Sequence, residues 1–137
     1  MLTFEQFQQL PLFEDIKKDD LFFLVPKINL DFENYQPGEI VFCQDMEPKG
    51  LVYLIDGEVK MISANSESLI SKACLLSFSG LFGKDRHFST KVMAVTACSS
   101  LNIDTKSLLF LLRNNSAFLL NYLNVLSDSM SIEKEKE

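Results

Sequence analysis

The sequence predicts a mainly β fold, a double-stranded β-helix or jelly roll, with helices at both ends of the chain. Three observations carry that expectation. In Gln36-Pro37-Gly38-Glu39, proline presets φ and glycine accepts a positive φ, which is type II turn chemistry ahead of the apolar run Ile40-Val41-Phe42. Asp56-Gly57 stands between the apolar runs 51–55 and 59–62, a strong short-range hairpin signal. Short runs of this kind recur with spacings too close for crossover helices, and they add up to roughly eight strands, the usual number in a jelly roll.

The elements follow in order. Thr3 and Gln6 form a capping-box pattern ahead of Phe7 and Leu10, and Pro11 ends that first helix. A second helix is expected over Lys17 to Val25, with Leu21, Leu24 and Val25 at helical spacing and Pro26 stopping it. Leu30 and Phe32 then alternate with Asp31 and Glu33, the pattern of a half-buried strand. Strands near 40–43, 51–56 and 58–63 precede a turn at Asn65-Ser66-Glu67. Apolar content resumes over 69–78 before the bend Ser79-Gly80-Leu81-Phe82-Gly83. Val92, Ala94 and Thr96 alternate with their neighbours, and Leu101 and Ile103 make the last strand. Asp104 caps a helix starting at Thr105, because its carboxylate accepts backbone N–H bonds and opposes the helix dipole. Asn114-Asn115 breaks that helix through the left-handed conformation that Asn tolerates, and Ser116 caps the final one. The expected organisation is one domain: helices in 1–27, the roll in 28–104, and C-terminal helices in 105–137.

Composition narrows the function. Of 137 residues, 47% are hydrophobic and 23% charged, so the chain is globular. Its net charge of −6 argues against phosphate-backbone binding by this chain alone, which relies on Lys and Arg displacing counterions. Cys43, Cys74 and Cys98 are odd in number and far apart, so reduced buried thiols are expected rather than disulfides or a metal cluster. A basic leader is missing from the first residues and no apolar stretch reaches spanning length, which gives a cytoplasmic expectation.

Read in order, the motifs resemble the sensor domain of Crp/Fnr-type regulators, the cyclic-nucleotide-binding-domain-like jelly roll. The anchor is Pro11-Leu12-Phe13, followed by Pro37-Gly38-Glu39-Ile40-Val41-Phe42, the turn Asp45-Met46-Glu47-Pro48-Lys49-Gly50, Leu54-Ile55-Asp56-Gly57-Glu58-Val59-Lys60, and Leu81-Phe82-Gly83. The likeness spans about Leu10 to Met130. In nucleotide-binding members a Glu after the Phe-Gly binds the ribose, and an Arg before Ser/Thr-Ala pairs with the cyclic phosphate. Here Lys84 follows Gly83, and Phe88-Ser89-Thr90 puts Phe88 at the Arg position, so the resemblance implies that cyclic AMP is not bound in the usual way. Lys84, Arg86, His87 and Lys91 form a local cationic cluster. An anion pocket rebuilt from Gly83, Lys84, Arg86, Ser89 and Thr90 is one reading of it, with a small anionic ligand; a solvated loop is the other.

The resemblance also implies a long C-terminal helix that packs against the roll on one side and its twin on the other. Leu119, Leu123, Leu126 and Met130 recur at i, i+4, i+7 and i+11 and are assigned to a homodimer seam, with Phe118, Tyr122 and Val125 on the strip facing the roll. A metal-dependent cupin site needs several His, and the chain has one, His87; haem or iron–sulfur sensing needs an axial His or clustered Cys. No nucleophile–base pair is identifiable, so the expectation is a non-enzyme with no metal and no cofactor. Two functions follow: the ligand-sensing or regulatory module of a Crp/Fnr-family transcription regulator, lacking the helix-turn-helix, or a stand-alone structural or protein-interaction module that has lost ligand and DNA functions.

Overall fold

The computed structural model describes residues 4–77, 81–82, 86–88 and 90–136. Helix α1 (Phe4–Gln9) ends where Leu10 turns extended ahead of Pro11, and a 3-10 turn over Pro11–Phe13 follows. The Thr3 capping box lies outside the described residues. Helix α2 (Lys18–Leu24) ends ahead of Pro26 as expected, with Val25 as its C-cap, and Pro26 then sits inside a further 3-10 turn, Val25–Lys27. A proline at the start of a turn loses no hydrogen bond that the turn needs, so the chain keeps curling there.

Eight described strands build the roll: β1 (Leu30–Tyr35), β2 (Ile40–Phe42), β3 (Gly50–Asp56), β4 (Val59–Ile62), β5 (Glu67–Ile70), β6 (Cys74–Leu75), β7 (Lys91–Ala94) and β8 (Cys98–Asp104). They form two four-stranded antiparallel sheets, ordered β1-β8-β3-β6 and β2-β7-β4-β5. The Pro37-Gly38 turn is type II as expected: Gly38 has φ +90°, and Glu39 N donates to Gln36 O at 3.0 Å. Asp56-Gly57 is different. Its strands β3 and β4 belong to different sheets, so it is a corner between layers and not a hairpin. Gly57 has φ +97°, and an added Cβ would lie 2.5 Å from Ala97 O and 2.7 Å from Cys98 Sγ, so the corner has room only for glycine. The hairpin of this region is β4–β5, closed over 63–66, where Ser63 N donates to Ser66 O; Glu67 is already in the strand, paired with Ile62.

Helix α3 (Thr105–Asn114) starts as expected on Asp104, whose Oδ1 accepts from Ser107 N at 2.7 Å. Its end is not left-handed. Asn115 is extended (φ −146°, ψ 113°), and its side chain, rather than that of Ser116, caps helix α4 (Ser116–Lys136) by accepting from Phe118 N at 2.9 Å. An extended residue with a short polar side chain is the ordinary N-cap geometry, so one asparagine both ends α3 and starts α4.

The alternation of side chains splits the interior in two. One face of the first sheet, with Leu51, Tyr53, Leu75, Leu101 and Ile103, packs under the helices against Leu12, Phe13, Leu108, Leu111, Phe118 and Tyr122. Its other face, with Leu54, Cys74 and Cys98, meets Phe42, Val59, Met61, Ile70, Val92 and Ala94 of the second sheet inside the roll. Strand β1 lies at the edge of its sheet and is more exposed than a half-buried strand: Phe32 retains 39% of its accessibility.

Candidate functional site

A half-open cleft with a volume of about 320 Å³ lies inside the roll, between β1, β3 and β8 on one side and β2 with the loop after it on the other. Its apolar wall is Val41, Phe42, Met46 and Phe88. The Phe42 and Phe88 rings stack with centroids 3.8 Å apart and an interplanar angle of 15°, and both residues are buried. Two backbone bonds lock this wall: Phe88 N donates to Met46 O at 3.0 Å, and Asp45 N donates to Phe88 O at 2.9 Å. Asp45 adopts φ +65° to make that loop, a conformation aspartate tolerates better than most residues.

The facing wall is polar and carries Asp31, Asn102, Asn29 and Asp104, with Glu47 and Lys49 also lining the cleft. Strand alternation accounts for it. Tyr35 packs on the roll-side core, while Leu30 packs on the helix-side core and the Phe32 ring lies 6.4 Å from that of Phe7 on α1. Asp31 and Glu33 therefore share the inner face with Tyr35. Asp31 is paired in register with Asn102, and Glu33 with Ser100. The buried Ser100 Oγ donates to Asn102 Oδ1 at 2.8 Å. That bond occupies the amide oxygen of Asn102 and leaves the amide N–H groups as the available donors.

Asp104 is committed to the fold. It accepts from Ser107 N and, at 2.9 Å, from Asn29 Nδ2, and these bonds, Ser107 first, hold its carboxyl below the ordinary aspartate value. Asn29 N in turn donates to Ser107 Oγ at 2.8 Å, tying the entry of β1 to the first turn of α3.

Of the residues assigned from sequence to an anion site, Gly83, Lys84 and Ser89 lie outside the described residues. Arg86 is exposed and Thr90 is buried, and neither lines the cleft. Phe88, at the position the resemblance gives to arginine, offers an aromatic face in place of a guanidinium. Sequence reading missed Asp31, Glu47 and Asn102. The signal was present in the alternation of 30–35, once it is known which face of β1 turns inward.

The three thiols are unpaired by disulfides, and Cys74 and Cys98 are buried. Burial pushes the Cys74 thiol up to about 11, against a smaller opposing pull from Lys72. Burial likewise raises Cys98, whose Sγ donates to Glu58 O and Thr96 O. A thiol held protonated is a poor nucleophile and a poor metal ligand. Among the described residues, no group of three or more His, Cys, Asp or Glu is placed to hold a metal ion, and no helix is long and apolar enough to cross a membrane.

On α4, Phe118, Tyr122, Val125 and Ser129 are buried at i, i+4, i+7 and i+11. Leu119, Leu123 and Met130 are exposed, while Leu126 is half-buried against the helix-side core. The inner strip is anchored at both ends. The Phe118 ring lies 5.6 Å from that of Phe13. Ser129 Oγ accepts from Leu75 N of β6 at 2.8 Å and donates to Val125 O at 2.7 Å. Strand β6 connects back to the cleft: Leu76 N donates to Val52 O, and Val52 N donates to Ser77 Oγ, both at 2.8 Å.

An antiparallel double sheet with a ligand-sized space inside and a helical cap defines a cyclic-nucleotide-binding type of domain. Residues 32–115 match the family model "Cyclic nucleotide-binding domain", and the chain belongs to that family. Its fold is that of Crp/Fnr-type sensor domains. A cyclic nucleotide-binding protein candidate from Geobacter metallireducens GS-15 is 17% identical, with a TM-score of 0.73, covering 96% of this chain and 98% of that one. The sensor domain of the transcriptional regulator DNR from Pseudomonas aeruginosa is 23% identical, with a TM-score of 0.70, covering 89% and 88%. A transcriptional regulator from Thermotoga maritima is 25% identical, with a TM-score of 0.63, covering 85% and 94%. No curated protein matches the chain.

Proposed function

We propose that this domain is a ligand-sensing, regulatory module of a Crp/Fnr-type transcription regulator, non-catalytic and cytoplasmic, whose ligand is not a cyclic nucleotide held in the usual way. One observation carries the reading: the position that resemblance gives to the phosphate-binding arginine holds Phe88, buried and stacked on Phe42. The charge reversal at Lys84 supports it from sequence. A cyclic phosphate would enter a cleft whose described walls carry three carboxylates and one lysine, without the arginine of its charge-assisted pair. Losing such a pair costs about 2–5 kcal/mol.

In this reading the output runs through α4. Its inner strip holds the domain, and its outer strip, Leu119, Leu123 and Met130 with the edge of Leu126, meets a second copy in a two-fold contact. A change in the cleft would reach that contact through β6 and Ser129.

Calorimetric titration with cyclic AMP is the direct test. The expected result is no binding in the micromolar range; a micromolar or tighter Kd overturns the reading. The chain alone is also expected to leave duplex DNA unshifted in a mobility assay at about 150 mM salt, where weak contacts are screened. A retarded band with random or promoter DNA contradicts that.

A further inference from the structure

We infer that the cleft of the roll takes a flat organic molecule whose polar edge carries N–H donors, cationic or neutral, such as an aryl amidine, guanidine or amine. The inference rests on the reading of the roll as a ligand-sensing module and names the chemistry of its ligand. Three features converge on it. The floor is flat and apolar: the stacked Phe42 and Phe88 with Val41 offer a planar body a surface for ring contact. The facing wall carries a carboxylate, Asp31, at the same register level as Asn102. Among the described residues Asp31 makes no ion pair, and Asn102 has its amide oxygen occupied by Ser100. This edge therefore presents a charged acceptor beside an amide donor.

An amidinium or a planar N–H-bearing heterocycle satisfies a carboxylate with two parallel hydrogen bonds, and a cation gains further from the charge. A carboxylate or phosphate ligand in the same place would face Asp31 and Glu47, with Lys49 as the single cation among the described residues of the walls. Asp104 is excluded from the recognition role because Ser107 and Asn29 already use its two oxygens. The volume of about 320 Å³ admits a ring with one polar substituent or a fused bicycle.

An isosteric charge series tests this on the intact chain: benzamidine (cationic), benzamide (neutral) and benzoate (anionic), titrated while amide and aromatic NMR signals are followed. Benzamidine is expected to shift the signals of Val52, Asn102, Phe42 and Phe88, with benzamide weaker and benzoate at least about tenfold weaker, the scale of one charge-assisted hydrogen bond. Asp31→Asn should lower benzamidine affinity about tenfold and leave the melting curve in place, since Asp31 is exposed and bonds to nothing that holds the fold. Glu33→Gln, on the same face of β1 but outside the cleft lining, should leave affinity unchanged. Benzoate binding as tightly as benzamidine overturns the inference, as does an equal loss in Glu33→Gln, or the lack of any shift at those four residues with millimolar benzamidine. None of these touches the reading of a sensor without usual cyclic AMP binding. Micromolar cyclic AMP at the same signals would overturn that reading as well.

Discussion

The two sides of the first sheet are built from the same alternating strands and do different work. On the helix side, Leu51, Tyr53, Leu101 and Ile103 meet Leu12, Phe13, Leu108 and Phe118, most of them fully buried. On the roll side, the residues are smaller on average, two are thiols, and β1 joins the packing only through Tyr35 at its end, the cleft opening beside Asp31 at the other. A wall fully packed on one face and opened by a cleft over part of the other can change its inner contacts while its outer contacts hold it in place. Interiors packed to crystal density resist deformation, so the freedom of this domain is concentrated where the density falls.

Paired truncations put that contrast at risk first. Phe118→Ala empties a fully enclosed site against Phe13 and should cost about 3–5 kcal/mol in urea unfolding. Phe88→Ala removes a ring of the same size that already borders the cleft, and the expected loss lies at the bottom of that range, about 3 kcal/mol. Equal losses would mean that the two cores are equally tight.

Asp104 sits at the seam between the sides, and Asp104→Ala should cost ~1 kcal/mol through the lost N-cap of α3. The pH dependence fixes the cause. The folded carboxyl lies below its ordinary value, so its contribution is complete above the unfolded value of about 3.9 and is lost as pH falls through the lower folded value. The gap between wild type and mutant should therefore be constant near neutrality and close in acid. A gap that persists at pH 2 would assign the effect to packing.

Leu123→Asp should change the fold least. Leu123 keeps 51% of its accessibility, so the exchange should cost the folded domain no more than ~0.7 kcal/mol, the span of helix propensity. In a two-fold contact it would place two desolvated carboxylates together, so light scattering should report a monomer where the wild type is a dimer, with β-sheet circular dichroism retained. A wild type that is monomeric at tens of micromolar removes the dimer from the mechanism.

How far the sequence could be read depended on the range of the interaction. The Pro37-Gly38 turn and the Asp104 cap are local, fixed by a few adjacent residues, and both stand in the structure as expected. Asp56-Gly57 carries the same kind of local signal but joins two sheets, because the partner of a strand is chosen by contacts far along the chain and a tight turn is compatible with either outcome. Asn115 was expected to use backbone freedom and uses its side chain instead. The cleft was the least legible part. Asp31, Val41, Phe88 and Asn102 are scattered over some seventy positions, and only the alternation of β1, combined with knowledge of its inward face, brings the carboxylate to the aromatic floor.

The Ser129 bridge limits how the C-terminal helix can travel. Its hydroxyl closes the open edge of β6 at Leu75 and returns to the helix at Val125, all within a buried contact. Sliding α4 along its own axis would strand the Leu75 N–H without a partner, a penalty of about 1–3 kcal/mol before any apolar contact is broken. Rotation about Ser129 leaves that bond intact. Any tilt about Ser129 would have to carry the Pro11–Phe13 turn with it, because the Phe118 ring lies 5.6 Å from that of Phe13 and Asn121 Nδ2 donates to Leu12 O and Glu14 O.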